Sequence, residues 1–132
     1  MQAIKNTVFL FLLVINTEIF AVRIGSFNLK QYGPKKAADT TVTNYVATIL
    51  NDFDLGIIQE ITDVKIEAPY VLYNALNKVS KSGAYSMTLS ERVGRSSSKE
   101  QYIFFNREST SGVKLINYYL YNDYNDYFER PP

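Results

Sequence analysis

Few side chains in this sequence can do chemistry, and three of them stand at the ends of apolar runs. Asn28 closes VRIGSFN, Glu60 closes DLGIIQE, and Glu100 opens EQYIFFN. A carboxylate at the end of a buried-looking run is costly unless it is paired or holds a metal. Two carboxylates and an amide make an all-oxygen donor set. Such a set suits Mg²⁺, Ca²⁺ or Mn²⁺ and, without Cys or His, does not suit Zn²⁺. A hard cation on one or two carboxylates keeps waters and accepts phosphate oxygens, and it can polarise a phosphodiester. Just before Glu100, the loop GRSSSK offers backbone amides, the hydroxyls of Ser96 and Ser98, and the cations Arg95 and Lys99. Those groups suit phosphate contacts, which position a nucleic acid without reading its sequence. Taken singly, each has an ordinary alternative. Glu60 also fits a solvated strand end, Glu100 an ion-pair partner of Lys99 or Arg95, Asn28 a turn former, and GRSSSK a flexible polar loop.

Composition narrows the chemistry further. The 132 residues contain no His and no Cys, so the chain alone supplies no imidazole, no thiolate and no disulfide. Apolar residues at 46% and charged residues at 20% are ordinary for a globular domain, and a formal net charge of +1 gives no large basic field. At the start, Lys5 followed by the apolar run VFLFLLVI, a polar NTE and the small Ala21 reads as a secretory signal peptide over residues 1–21. The apolar run is too short to span a bilayer. Removal of the signal leaves a secreted domain over residues 22–132, which without disulfides relies on its core alone.

The positioning elements are legible around these residues. Val22 to Asn28 is an apolar strand, and KQYGPKK follows as a loop broken by Gly33 and Pro34. Asp39 or Thr40 caps a helix whose apolar stripe is Val42, Tyr45, Val46, Ile49, Leu50 and Phe53. LGIIQE is a second buried strand, and strand, helix, strand with two apolar strands implies a βαβ crossover and parallel pairing. Asn28 and Glu60 then share the carboxyl edge of the sheet, where open α/β sheets bind ligands. A second helix begins near Pro69, with Leu72, Leu76 and Val79 on its inner face. Tyr85 to Leu89 is a third strand. Glu100 to Asn106 alternates, with Ile103 and Phe105 on one face and Tyr102 and Phe104 on the other. If that strand runs antiparallel, Glu100 starts it on the same edge. Gly112 to Tyr121 is expected as a last strand, antiparallel to the one before it, and the Tyr-rich tail as turn.

RIGSFN, DLGIIQEITD and SERVGRSSSKEQYIFF, in this order and spacing, closely resemble three landmarks of the deoxyribonuclease I family, and FERPP resembles a fourth. The resemblance runs from about Val22 to Pro132. It implies the N-terminal half of an α/β sandwich, a mixed sheet with helices on one face, from secreted or membrane-enclosed endonucleases that cut double-stranded DNA with Mg²⁺ and Ca²⁺. By resemblance Asn28 matches an active-site Asn and Glu60 the metal-binding Glu. Glu100 matches a Glu that orients a catalytic His, which moves it from the metal to the neighbourhood of an imidazole. Lys30 and Arg95 fall where the family contacts phosphate and groove.

The departures are large. Both catalytic His, the Gly-Asp-x-Asn motif and the terminal Ser-Asp-His motif have no counterpart here. Ser98 stands where the family often has a Tyr that stacks on a sugar, and Thr62 where an Arg is expected. The Cys pair of some members is absent, and Asp39 stands where some carry a glycosylated Asn. The family prototype also binds actin, partly through an exposed strand. Met87, Leu89 and Glu91 occupy that region with different detail, so actin binding is not carried over. The resulting expectation is a secreted, metal-dependent endonuclease seen as a truncated chain without activity of its own. The alternative is a module that has lost catalysis and holds DNA or protein. A third reading changes the substrate to a phospholipid headgroup or abasic DNA, and the GRSSSKEQY block speaks against it. Half a sandwich also leaves Ile57, Ile103 and their neighbours facing solvent, which predicts marginal stability.

Overall fold

The computed structural model describes residues 21–132. The expected signal peptide, save for Ala21, lies outside the described residues. In chain order the elements are β1 (Ile24–Tyr32), α1 (Pro34–Ala38), α2 (Thr40–Leu50), β2 (Leu55–Ile61), α3 (Glu67–Val79), β3 (Ser86–Leu89), β4 (Gln101–Asn106) and α4 (Glu108–Ser111). The four strands form one mixed sheet in the order β1-β2-β4-β3. β1 and β2 are parallel, with Phe27 opposite Ile58 and Asn28 opposite Gln59. β4 runs antiparallel to both β2 and β3.

The βαβ unit forms as the apolar pattern requires, but three details differ from the sequence reading, the first being that β1 starts at Ile24 rather than Val22 and runs past Asn28 to Tyr32. The expected loop after β1 holds the short helix α1, with Pro34 in its first turn, where a missing N–H costs nothing. The helix α2 is capped by Asp39, whose side chain accepts from the Thr41 and Val42 amides at 3.0 and 3.1 Å. Its buried stripe is Thr43, Val46, Ala47 and Leu50, while Tyr45 and Ile49 face solvent. The helical period is as expected and the buried face is rotated by about one position, onto the small Thr43 and Ala47, and the helix packs most closely on α3 and α1. Thr43 Oγ1 and the buried Tyr32 hydroxyl are 2.8 Å apart, so neither polar group is left unsatisfied beneath the helix.

The core lies between the sheet and the helices. Ile58, Ile103 and Phe105 point to this side and meet Leu50, Leu72 and Leu76. Two glycines allow the close packing. A Cβ at Gly56 would come within 2.4 Å of the Gly25 carbonyl oxygen and 2.7 Å of the Phe105 ring. The helix α3 starts two residues earlier than Pro69 suggested. Asp63 caps it from outside, accepting from the Lys65, Glu67 and Ala68 amides at 2.9, 2.8 and 2.7 Å. Burial pushes the Asp63 carboxyl up, yet those amides, with Lys65, hold it below its ordinary value.

The opposite sheet face carries Leu55, Ile57, Tyr102 and Phe104, only part-buried or exposed. Ile103 was expected there and is instead 3% exposed on the helix side. The apolar face left open is therefore smaller than the sequence implied. Part of it lies beside the tail, where Tyr102 and Phe104 meet Tyr118, Tyr119 and Leu120 around a cleft of about 350 Å³.

The expected last strand over Gly112–Tyr121 is not formed, and this stretch is irregular. The cause is topological. β4 already has β2 on one side and β3 on the other, so it has no free edge for the segment that follows it. Instead α4 ends at Gly112 in a left-handed conformation (φ +63°), and the chain turns away. A buried knot pins this corner. Arg107 Nη2 and Asp54 Oδ1 are 3.0 Å apart, Thr110 and the Arg23 amide donate to the same carboxylate, and Arg107 lies 4.9 Å over the Tyr85 ring.

Candidate metal and phosphate site

Parallel pairing puts the ends of β1 and β2 on one edge, and the ladder between them is broken there. Regular pairing stops after Asn28 opposite Gln59 and resumes at Tyr32 opposite Ile61. Within this bulge Lys30, Gln31 and Glu60 have φ of +51°, +63° and +61°, a conformation that non-glycine residues adopt only at a cost. What it achieves is convergence. Asn28 Nδ2 donates to Glu60 Oε1 at 2.7 Å, and the Gln31 amide donates to Glu60 Oε2 at 3.1 Å. The Lys30 amide donates to Asn28 Oδ1 at 2.7 Å. That last bond fixes which end of the Asn28 amide is oxygen, since only the oxygen can accept from an N–H. Asn28 therefore turns its donor end to Glu60 and acts on the carboxylate's orientation.

Glu100 reaches the same edge from the antiparallel strand. Gln101 pairs with Ile61, and Glu100 itself bridges to Val93 just before β4. Its side chain is buried, and burial is the main reason its carboxyl sits above the ordinary value. Arg130 pulls it down, and the negative charge of Glu60 pushes it up. Arg130 Nη2 lies 3.0 Å from Glu100 Oε1 and 3.4 Å from the Ser98 carbonyl oxygen, and its buried Nε has no partner. Arg130 was not singled out from the sequence. Only its place in FERPP marked it, because 30 residues and an irregular tail separate it from Glu100.

The remaining expected residues divide. Lys30 is exposed beside the bulge, on the rim of a shallow depression with Gln31, Lys35 and Thr62. Ser96, Ser98 and Lys99 are exposed on the loop, and the Lys99 carbonyl accepts from Arg92. Arg95 is turned to the tail. It pairs with Asp126 at 2.7 Å and with Glu129 at 3.7 Å, and it also bonds the Asp126 carbonyl. Hydrogen bonding to Asp126 is the main reason its guanidinium is held above its ordinary value.

A divalent cation fits the donor set at Glu60. Each carboxylate oxygen accepts one bond from the protein, which leaves lone pairs on a half-exposed group. Among the described residues no three His, Cys, Asp or Glu side chains converge as a metal cage. Glu60 alone could hold only an ion that keeps most of its waters and takes substrate oxygens, as Mg²⁺ does.

No family model matches the chain. Among curated proteins, it is 37% identical over 112 residues to deoxyribonuclease-1-like 2 of Homo sapiens, across 85% of this chain and 36% of that protein. It is 36% identical over 117 residues to the deoxyribonuclease-1 of Equus caballus and that of Sus scrofa, across 85% of this chain and 40% of each. The chain spans about two fifths of the length of the curated relatives it matches. It is homologous to the deoxyribonuclease I family over that stretch, and its four-stranded mixed sheet with helices is a partial deoxyribonuclease I-like fold.

Proposed function

From this homology we propose that the chain carries the metal-binding half of a secreted endonuclease that hydrolyses phosphodiester bonds in double-stranded DNA. The observation that carries the reading is the Asn28–Glu60 contact at 2.7 Å on the rim formed by β1 and β2. Glu60 holds Mg²⁺ or Mn²⁺, with Ca²⁺ as a second ion of the full protein, and Asn28 together with the Gln31 amide keeps the carboxylate aimed. The cation, when bound, neutralises charge on the phosphate that is attacked. Arg130 and Lys30 supply phosphate contacts beside it, with Ser96, Ser98 and Lys99 further along the loop. Arg95 joins them only when the tail releases it.

Glu100 is a positioning residue on this reading. A buried carboxylate of this kind fixes the tautomer of an imidazole, and these 132 residues contain no His. General acid and base groups contribute on the order of 10²–10⁴ each, so this chain alone is expected to nick DNA very weakly. Export is proposed from the apolar run at the start. No helix among the described residues is long and apolar enough to cross a membrane.

The test is binding of a short DNA duplex, followed by fluorescence anisotropy with and without Mg²⁺. Binding is expected to strengthen with Mg²⁺, and Glu60→Gln is expected to remove that increment. Equal binding by both proteins at every Mg²⁺ concentration contradicts the proposal. A second reading is a module that holds DNA or protein without cutting. It keeps the binding result and gives no nicking of supercoiled plasmid by a longer form of the chain.

A further inference from the structure

The bulge that aims Glu60 needs something to hold it, and the ladder does not. Lys36, in α1, reaches back to it. Its Nζ donates to the Leu29 carbonyl at 2.9 Å and to the Lys30 carbonyl at 2.5 Å. Among the described residues Lys36 forms no salt bridge, so these carbonyls are its partners.

Peptide planarity gives the contact its meaning. The Leu29 carbonyl and the Lys30 amide belong to one planar unit, and the Lys30 carbonyl and the Gln31 amide to the next. In a trans peptide the oxygen and the N–H point in opposite directions. An ammonium that fixes both oxygens therefore fixes both N–H vectors. Those N–H groups bond Asn28 Oδ1 at 2.7 Å and Glu60 Oε2 at 3.1 Å. We propose that Lys36 is a positioning residue which, through the 29–30 and 30–31 peptide planes, orients both Asn28 and Glu60 for metal binding. It also offsets the cost of left-handed φ at Lys30 and Gln31, since an ammonium supplies the donors that the broken ladder withholds.

This inference rests on the reading of Glu60 as a metal ligand, and its test separates the two. The full chain, Lys36→Met, and the control Lys35→Met are compared. Lys35 is exposed, so its replacement removes the same charge without touching the bulge. Amide hydrogen exchange at Lys30 and Gln31 is read by NMR together with Mn²⁺ affinity. Lys36→Met is expected to speed exchange at both amides and to weaken Mn²⁺ binding, each on the order of tenfold. Ile58 and Ile103 should keep their protection. Lys35→Met should leave all of these unchanged, and Lys36→Arg should restore part of the loss. If Lys36→Met does not fold, Lys36→Gln, whose neutral amide stops one atom short of the ammonium's reach, is read in the same way. Unchanged exchange at Lys30 and Gln31 in the folded variant overturns the proposal. Altered exchange in a protein that binds no Mn²⁺ at Glu60 leaves Lys36 its role and overturns the metal reading instead.

Discussion

Asn28 and Glu60 are joined across the parallel pair β1–β2, Nδ2 to Oε1 at 2.7 Å, while Asn28 Oδ1 is committed to the Lys30 amide. The Asn28 amide cannot be flipped without losing both bonds. Its role toward the carboxylate is that of a donor, so under the proposed function a cation at this rim is held by Glu60 first. This relationship depends on parallel strands for the shared edge and on a bulge for the convergence.

The glycine beneath the core sets a strict limit on β2. A methyl group at Gly56 would meet backbone oxygen at 2.4 Å and the Phe105 ring at 2.7 Å, and the oxygen belongs to the paired strand. Gly56→Ala is expected to destabilise the fold by at least roughly 1–3 kcal/mol, measured by urea denaturation. A loss below 0.5 kcal/mol, of the order of an ordinary surface change, would show that the strands can separate more easily than this packing allows.

Asp54 gives the fold an acid limit. Hydrogen bonding from Thr110 is the largest influence, followed by the Arg23 amide and, against burial, Arg107, and its carboxyl is held at about 2. A carboxylate depressed in the folded state stabilises the fold above its unfolded value and loses that contribution as pH falls toward the folded value. On the order of 2 kcal/mol should therefore disappear between about pH 4 and pH 2. Asp54→Asn is expected to flatten this part of the stability curve. A wild-type slope retained in the variant would assign the acid sensitivity elsewhere.

Glu100 works in the opposite sense. Its folded carboxyl is raised, chiefly by burial, so the ionised form costs stability and the cost appears as pH rises through the folded value. Arg130 offsets that cost. Arg130→Met is expected to destabilise the chain more at pH 7 than at pH 4, where Glu100 can take a proton in either state. An equal loss at both values would mean that Arg130 acts through packing alone.

The tail is held to the loop by Arg130 at its end and, before it, by Arg95, whose partners Asp126 and Glu129 lie on the surface. Exposed pairs of this kind are weak and screened by salt. Arg95→Ala is expected to open residues 121–128 to chymotrypsin without shifting the thermal midpoint, and high salt should do the same to the wild type. Unchanged cleavage would show that Arg130, with the apolar contacts of Tyr118 and Leu120, holds the tail without Arg95.

What the sequence disclosed follows the range of the interaction. Asn28 and Glu60 were legible because apolar strands around an amphipathic helix force a parallel crossover, and that places both strand ends on one edge. The alternation of Ile103 and Phe105 against Tyr102 and Phe104 was legible for the same local reason. The face of α2 was misread by about one position because hydrophobicity favoured Tyr45 and Ile49, whereas close packing favoured Thr43 and Ala47. The strand expected at Gly112–Tyr121 failed on topology, which composition does not encode. Arg130 and Lys36 were hidden because each acts through a tertiary contact, one across the tail and one into backbone carbonyls that only a bulge leaves free.

Under the proposed function Glu60 is the first ligand of a divalent cation at the β1–β2 rim. Titration of the chain with Mn²⁺, followed by paramagnetic broadening of its amide resonances, tests it most directly. The expected result is saturable broadening centred on Asn28, Gln31 and Glu60, abolished in Glu60→Gln. Broadening that is unchanged in that variant, or centred on Asp123 and Asp126 of the tail, would contradict it.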